Sequence, residues 1–139
     1  MPTLEGQAVL HDIQATEHED FYRVVVEFAG ESDQETTGEL GWFIGWTESL
    51  ASQGKGAPIA LDKKTVLELN IEGTTAPVTP ELETLYYSGP QEFSVGEITV
   101  VDDGTFESLT HIGIGMDAER PFQVRQLGNP LRLIVDIQK

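Results

Sequence analysis

The last stretch of the chain, Arg120 to Ile137 (RPFQVRQLGNPLRLIVDI), constrains the fold most. Apolar residues alternate along it, and Gly128-Asn129-Pro130 breaks it once. Phe122 and Val124 fall on one face of a first strand. Leu131, Leu133, Val135 and Ile137 fall on one face of a second. A period of two is the signature of a half-buried antiparallel sheet, because successive side chains of a strand point to opposite faces.

The same grammar extends backwards. Ala8 to Ile13 reads as a short first strand and Glu17-His18-Glu19-Asp20 as a turn. Phe21 to Phe28 (FYRVVVEF) is the strongest strand of the first half, with Tyr22, Val24, Val26 and Phe28 sharing one face. Apolar residues on its second face predict a central, largely covered strand. Glu31 to Gly38 reads as a loop. Leu40 to Thr47 places Trp42, Ile44 and Trp46 opposite Phe43, and glycines at 41 and 45 suggest a bend or a close neighbouring backbone. Ser49 to Pro58 is a small-residue loop, and Thr65 to Ile71 a strand. Gly73 to Pro80 is a Thr/Pro-rich connection, and residues 81–94 remain open. Ile98 to Val101 is a short strand that Asp102-Asp103-Gly104 ends as a hairpin-type turn. In Phe106 to Met116, Ile112, Ile114 and Met116 alternate with Gly113 and Gly115. About eight strands and no capped helical stripe predict an all-β antiparallel sandwich, a barrel being the related solution. Residues 1–6 are expected to form a loose linker, and residues 7–139 one domain. At 139 residues and 39% hydrophobic content the chain can build a real core.

Charge narrows the partners. Eight basic against 24 acidic residues give a net charge of −16. Such a surface repels nucleic acid phosphates and anionic headgroups, so neither nucleic acid nor a peripheral membrane is the expected partner. The absence of cysteine excludes disulfides, thiolate zinc sites and cysteine nucleophiles. No apolar run is long enough to span a bilayer. Met1 to Glu5 does not open a signal peptide; either the protein is cytoplasmic, or this is a mature region from which an upstream export signal or lipid anchor has been removed.

Catalytic signatures are weak. Gly113-Ile114-Gly115 lacks the third glycine and the following helix of a dinucleotide loop, and Gly54-Lys55-Gly56 lacks phosphate-loop spacing. His18 among Glu17, Glu19 and Asp20 is the only local mixed-ligand cluster, and it has no second histidine nearby. Asp102-Asp103-Gly104 with Glu107 resembles only part of a calcium loop. Any two of the 24 acids can be imagined as a glycosidase pair, so that count says nothing. No enzyme, cofactor or metal is expected. Two spacings are more specific. Arg23 and Glu27 share a face of one strand, and Arg132 and Asp136 share a face of another. If these strands are antiparallel neighbours, each arginine faces the other strand's acid. The alternative is a pair of arginines facing a ligand. Trp42, Phe43, Trp46, Tyr86 and Tyr87 make a candidate aromatic set for stacking on sugars, beside the commoner core role.

Four spaced segments carry a family resemblance. They are HEDFYRVVVEF (His18 to Phe28), GTFES (Gly104 to Ser108), HIGIGMDAERPFQV (His111 to Val124) and NPLRLIVDI (Asn129 to Ile137). Their order and spacing resemble the AMIN-like domain, which occurs in exported proteins and lipoproteins of actinobacteria. His18, Arg23, Glu27, Phe106, Pro121, Phe122, Arg132 and Asp136 match motif positions. Asp20 stands where glycine is usual, and Tyr22 where aspartate is usual. The resemblance implies a β-sandwich related to the AMIN domain of cell-wall amidases, placed outside the cytoplasm in the envelope. The expected function is a non-enzymatic binding or targeting module for a cell-wall glycan, with Arg23 and Arg132 as anion contacts and Trp46 and Tyr87 as stacking contacts. The alternatives are a module docking to an envelope protein through an exposed strand edge or aromatic patch, and a carboxylate-based hydrolase.

Overall fold

The computed structural model describes residues 8–30, 40–53, 56–59, 61–128 and 130–139. The expected linker at 1–6 and the expected loop at 31–38 lie outside them. Nine strands form two antiparallel sheets. One sheet is ordered β1 (Val9–Glu17), β2 (Phe21–Ala29), β9 (Arg132–Gln138), β8 (Phe122–Leu127). The other is ordered β3 (Gly41–Thr47), β4 (Thr65–Glu72), β7 (Leu109–Met116), β6 (Ile98–Phe106), β5 (Glu92–Val95). This is the expected all-β sandwich, with one strand more than the patterning suggests.

The alternation decides which way each strand faces. Tyr22, Val24, Val26 and Phe28 point inward from β2, and Leu133, Val135 and Ile137 from β9. They meet Leu67, Leu69 and Ile71 of β4 and Ile112, Ile114 and Met116 of β7. All are buried. Each fully buried side chain of this size contributes about 1.5–3 kcal/mol. Tyr22 also ties the sheets together, because its hydroxyl accepts from Glu97 N at 3.1 Å. Gly96 turns β5 into β6 at φ +55, and a Cβ there would meet the Tyr22 hydroxyl at 2.6 Å. Both the backbone conformation and the close approach call for glycine.

Two sequence expectations are corrected, and one open stretch is filled. A helix, α1 (Pro80–Leu85), occupies the start of the stretch whose structure the sequence leaves open. Thr79 caps it by accepting from Leu82 N at 3.2 Å, and proline occupies its first turn. Only Leu82 is buried, so six residues leave no stripe to read. Asp102-Asp103-Gly104 is not a turn. It is an irregularity inside β6, where the register with β7 shifts between Asp102 and Gly104. The reversal comes at Glu107-Ser108, both with positive φ (49 and 67), as a two-residue hairpin turn requires. Finally, Trp42 is 39% exposed rather than a core residue, while Trp46 packs against the core.

The outer face of the five-stranded sheet is covered by the segment after β3. Leu50 is buried there. A Cβ on Gly113 would meet Leu50 Cδ2 at 2.6 Å, and one on Gly115 would meet Lys63 Cγ at 2.9 Å. The Gly-Ile-Gly spacing is therefore backbone geometry: it leaves room for a covering segment.

Candidate functional site

The outer face of the four-stranded sheet carries the most ordered set of polar groups. Strand pairing sets three rows across it. Thr16, Arg23, Asp136 and Gln123 form the first, and Gln14, Val25, Ile134 and Arg125 the second. Asp12, Glu27, Arg132 and Leu127 form the third. The expected antiparallel neighbourhood of β2 and β9 is thus present, with Arg23 opposite Asp136 and Glu27 opposite Arg132.

Only the first pair closes as an ion pair. Arg23 donates to Asp136 through Nε at 2.8 Å and through a terminal nitrogen at 3.1 Å. This bidentate hydrogen bond holds the Asp136 carboxyl below its ordinary range, outweighing partial burial. The same bond raises the Arg23 guanidinium. Arg132 instead donates to Pro130 O at 3.1 Å and Gly128 O at 3.4 Å, bracing the β8–β9 turn. Glu27 has His11 Nε2 at 3.8 Å. The second expected cross-strand pair is therefore opposed in register but not bonded. The turn carbonyls win because they lie two and four residues from Arg132 along the chain.

Arg23, Arg125 and Arg132 face outward on these rows with Asp12, Glu27 and Asp136. Three of the eight basic residues of the chain meet three acids there. Within a molecule of charge −16 this face is locally balanced. At its Arg23 end a groove of about 490 Å3 is lined by Asp20, Phe21, Arg23, Pro121, Phe122, Gln123, Asp136 and Gln138. His18 stacks on Phe21 with ring centroids 4.5 Å apart, and the Arg23 guanidinium lies over the Phe21 ring, 5.2 Å from its centre. The groove thus joins an aromatic wall to a guanidinium, two carboxylates and amide side chains, a set able to take a polar ring by hydrogen bonds.

The four residues singled out from the sequence are not gathered into one place. Arg23 and Arg132 share this face, Arg23 lying opposite Asp136, four residues or about 13 Å from Arg132 along β9. Trp46 lies on the flank where β3 meets β8, its ring edge-on to Phe122 at 6.1 Å. Tyr87 lies on the opposite flank, where its N–H donates to Leu10 O of β1 at 2.7 Å. Its hydroxyl donates to Pro90 O at 2.6 Å. Burial, then the Asp102 and Asp12 charges, push that phenol up.

A second constellation, on the five-stranded sheet, is not legible in the sequence. His111 is 3% exposed and lies between two carboxylates. Its Nδ1 is 2.7 Å from Asp103 Oδ2, and its Nε2 is 2.7 Å from Glu68 Oε2. Asp103 Oδ2 also accepts from Gln53 N at 2.8 Å. The Gln53 side chain donates to Gly104 O and Leu109 O at 3.2 and 3.1 Å. Both ring nitrogens are engaged, so neither is directed at a substrate; the bridge clamps the covering segment to the sheet. Its partners come from residues 53, 68, 103 and 111, and no local spacing announces them. The one sequence signal is position: His111 shares a strand face with Gly113 and Gly115.

Among the described residues no group of three or more His, Cys, Asp or Glu side chains is arranged to hold a metal ion. Among the same residues no helix is long and apolar enough to cross a membrane. No curated protein and no solved structure matches the chain significantly. The AMIN-like domain model does match, over residues 8–139, which is the sandwich from the start of β1 to the end of the chain. With the motif arginine and aspartate of β2 and β9 joined across the sheet, and the whole fold inside the matched span, this chain belongs to the AMIN-like domain family.

Proposed function

We propose that this protein is a non-enzymatic binding and targeting module of the bacterial cell envelope, and that it meets a cell-wall glycan with the outer face of its four-stranded sheet. AMIN-like domains are generally non-catalytic binding modules, associated with the cell wall and typically extracytoplasmic. The observation that carries the choice of face is its charge balance. Wall polymers are often anionic, and a surface of net charge −16 repels them. The rows holding Arg23, Arg125 and Arg132 are where that repulsion is locally cancelled.

Arg23 and Arg132 are the proposed anion contacts, joined by Arg125, which is exposed beside Asp136. Phe21, whose ring stacks on His18 and lies under the Arg23 guanidinium, is the proposed apolar wall of the groove, meeting a sugar with its edge. Trp46 and Tyr87 serve as stacking contacts for a glycan that runs over a sheet edge, since they sit on opposite flanks.

Retention on purified cell walls at low and moderate salt tests this reading. The chain is expected to be retained, and Arg125→Glu to be retained about tenfold less at low salt with its fold unchanged. No retention at either salt, or equal retention of the variant, overturns the reading.

A further inference from the structure

The two sheets have four edge strands, and three of them are guarded against pairing with another chain. β1 carries Asp12 and Glu17 and a register shift between Leu10 and Asp12. β5 is four residues long and begins with Glu92. β8 follows Pro121 and carries Arg125. Short length, charge, proline and irregular register are the usual means of blunting an edge.

β3 has none of these. Its seven residues, Gly41 to Thr47, include no charge and no proline, and their register with β4 is unbroken. Among the described residues no strand pairs with its other side. Every second residue of such a strand directs its N–H and C=O outward. Trp42 and Phe43 on this strand are 39% and 56% exposed.

The geometry points to β3 as a strand-addition site for an extended, basic and apolar segment of a partner protein. Backbone hydrogen bonds along β3 supply the pairing, the exposed Trp42 and Phe43 the apolar contact, and the acidic surplus of the chain favours lysine or arginine in the added strand. Charge complementarity disfavours a second copy of this chain, which has three acids for each base. Glycan binding is read from the other sheet and shares only Trp46 with β3, and neither substitution used in the test alters Trp46.

The test is fluorescence anisotropy at physiological salt with a short labelled peptide of alternating valine and lysine. A valine–glutamate peptide and the lysine peptide N-methylated at alternate residues are the comparisons. Saturable binding is expected for the first peptide alone. N-methylation keeps the charge but removes the donors, so it separates strand pairing from attraction to an acidic protein. A Cβ at Gly45 meets nothing within 4 Å, so Gly45→Lys leaves the fold intact while adding a repelling charge. It and Phe43→Ala are each expected to weaken binding at least about tenfold without changing thermal unfolding. Absent saturation, equal binding of the N-methylated peptide, or indifference to both substitutions overturns the proposal. So does a dimer in sedimentation that Gly45→Lys dissolves, since it assigns β3 to a second copy.

Discussion

Arg23 and Asp136 are 113 residues apart in sequence and bonded twice across β2 and β9. Asp136 is held low by that bond, so it binds its proton less readily folded than unfolded. Its contribution is present above the unfolded aspartate pKa of about 3.9 and is lost as pH falls through the lower folded value. Arg23→Ala should therefore destabilise the protein at neutral pH, by an amount on the order of 1 kcal/mol for a partly exposed cross-strand pair. Unfolding midpoints of variant and parent should converge at the acid end. Asp102 presents the opposite sign. Burial raises its pKa, against the pull of the Gly104 N–H at 2.8 Å, and the neighbouring Asp103 charge adds to the rise. Its ionised form costs stability once pH exceeds the folded value, and the cost vanishes below the unfolded one. Asp102→Asn keeps the acceptor and discards the charge. Thermal melts should show the variant more stable than the parent at pH 7, with no advantage near pH 3.

At the scale of elements, the covering segment and β7 fit by a trade of side chains. Leu50 fills the space that Gly113 leaves. Leu50→Ala should cost about 2–5 kcal/mol by opening a cavity, and Gly113→Ala about 1–3 kcal/mol by overpacking. Denaturant titration of the double variant should show a loss smaller than the sum, because the added methyl enters the vacated space. The clamp behind them predicts a further loss: His111→Ala leaves Asp103 and Glu68 facing each other without the ring, at up to about 3 kcal/mol. These elements also show what the residue pattern can and cannot say. β2 and β9 are legible because each turns one apolar row to the core, and a row survives any loop length. The arginine–acid spacing on them reveals one true pair, but not that the β8–β9 turn claims Arg132. Helix α1 hides because a single buried leucine makes no periodicity, and Thr79-Pro80 alone signals its start. Asp102-Asp103-Gly104 misleads because its composition suits a turn, while its place opposite β7 makes it a bulge. The His111 bridge is closed by tertiary pairing alone.

Over the whole molecule, the sandwich divides its surface. The five-stranded sheet spends its outer face on the covering segment, and among the described residues β3 is unpaired at one edge. The four-stranded sheet gathers arginines on its outer face. A chain of net charge −16 can approach an anionic polymer only where its own field is neutralised locally. The account therefore predicts that binding to wall material is salt-sensitive and directional, with one face toward the polymer. Amide chemical-shift mapping with solubilised cell-wall fragments tests this most directly. The account predicts shifts clustered on β2, β9 and β8 around Arg23, Asp136 and Arg125, with β4 and β7 silent; shifts centred on the five-stranded sheet, or scattered over both, contradict it.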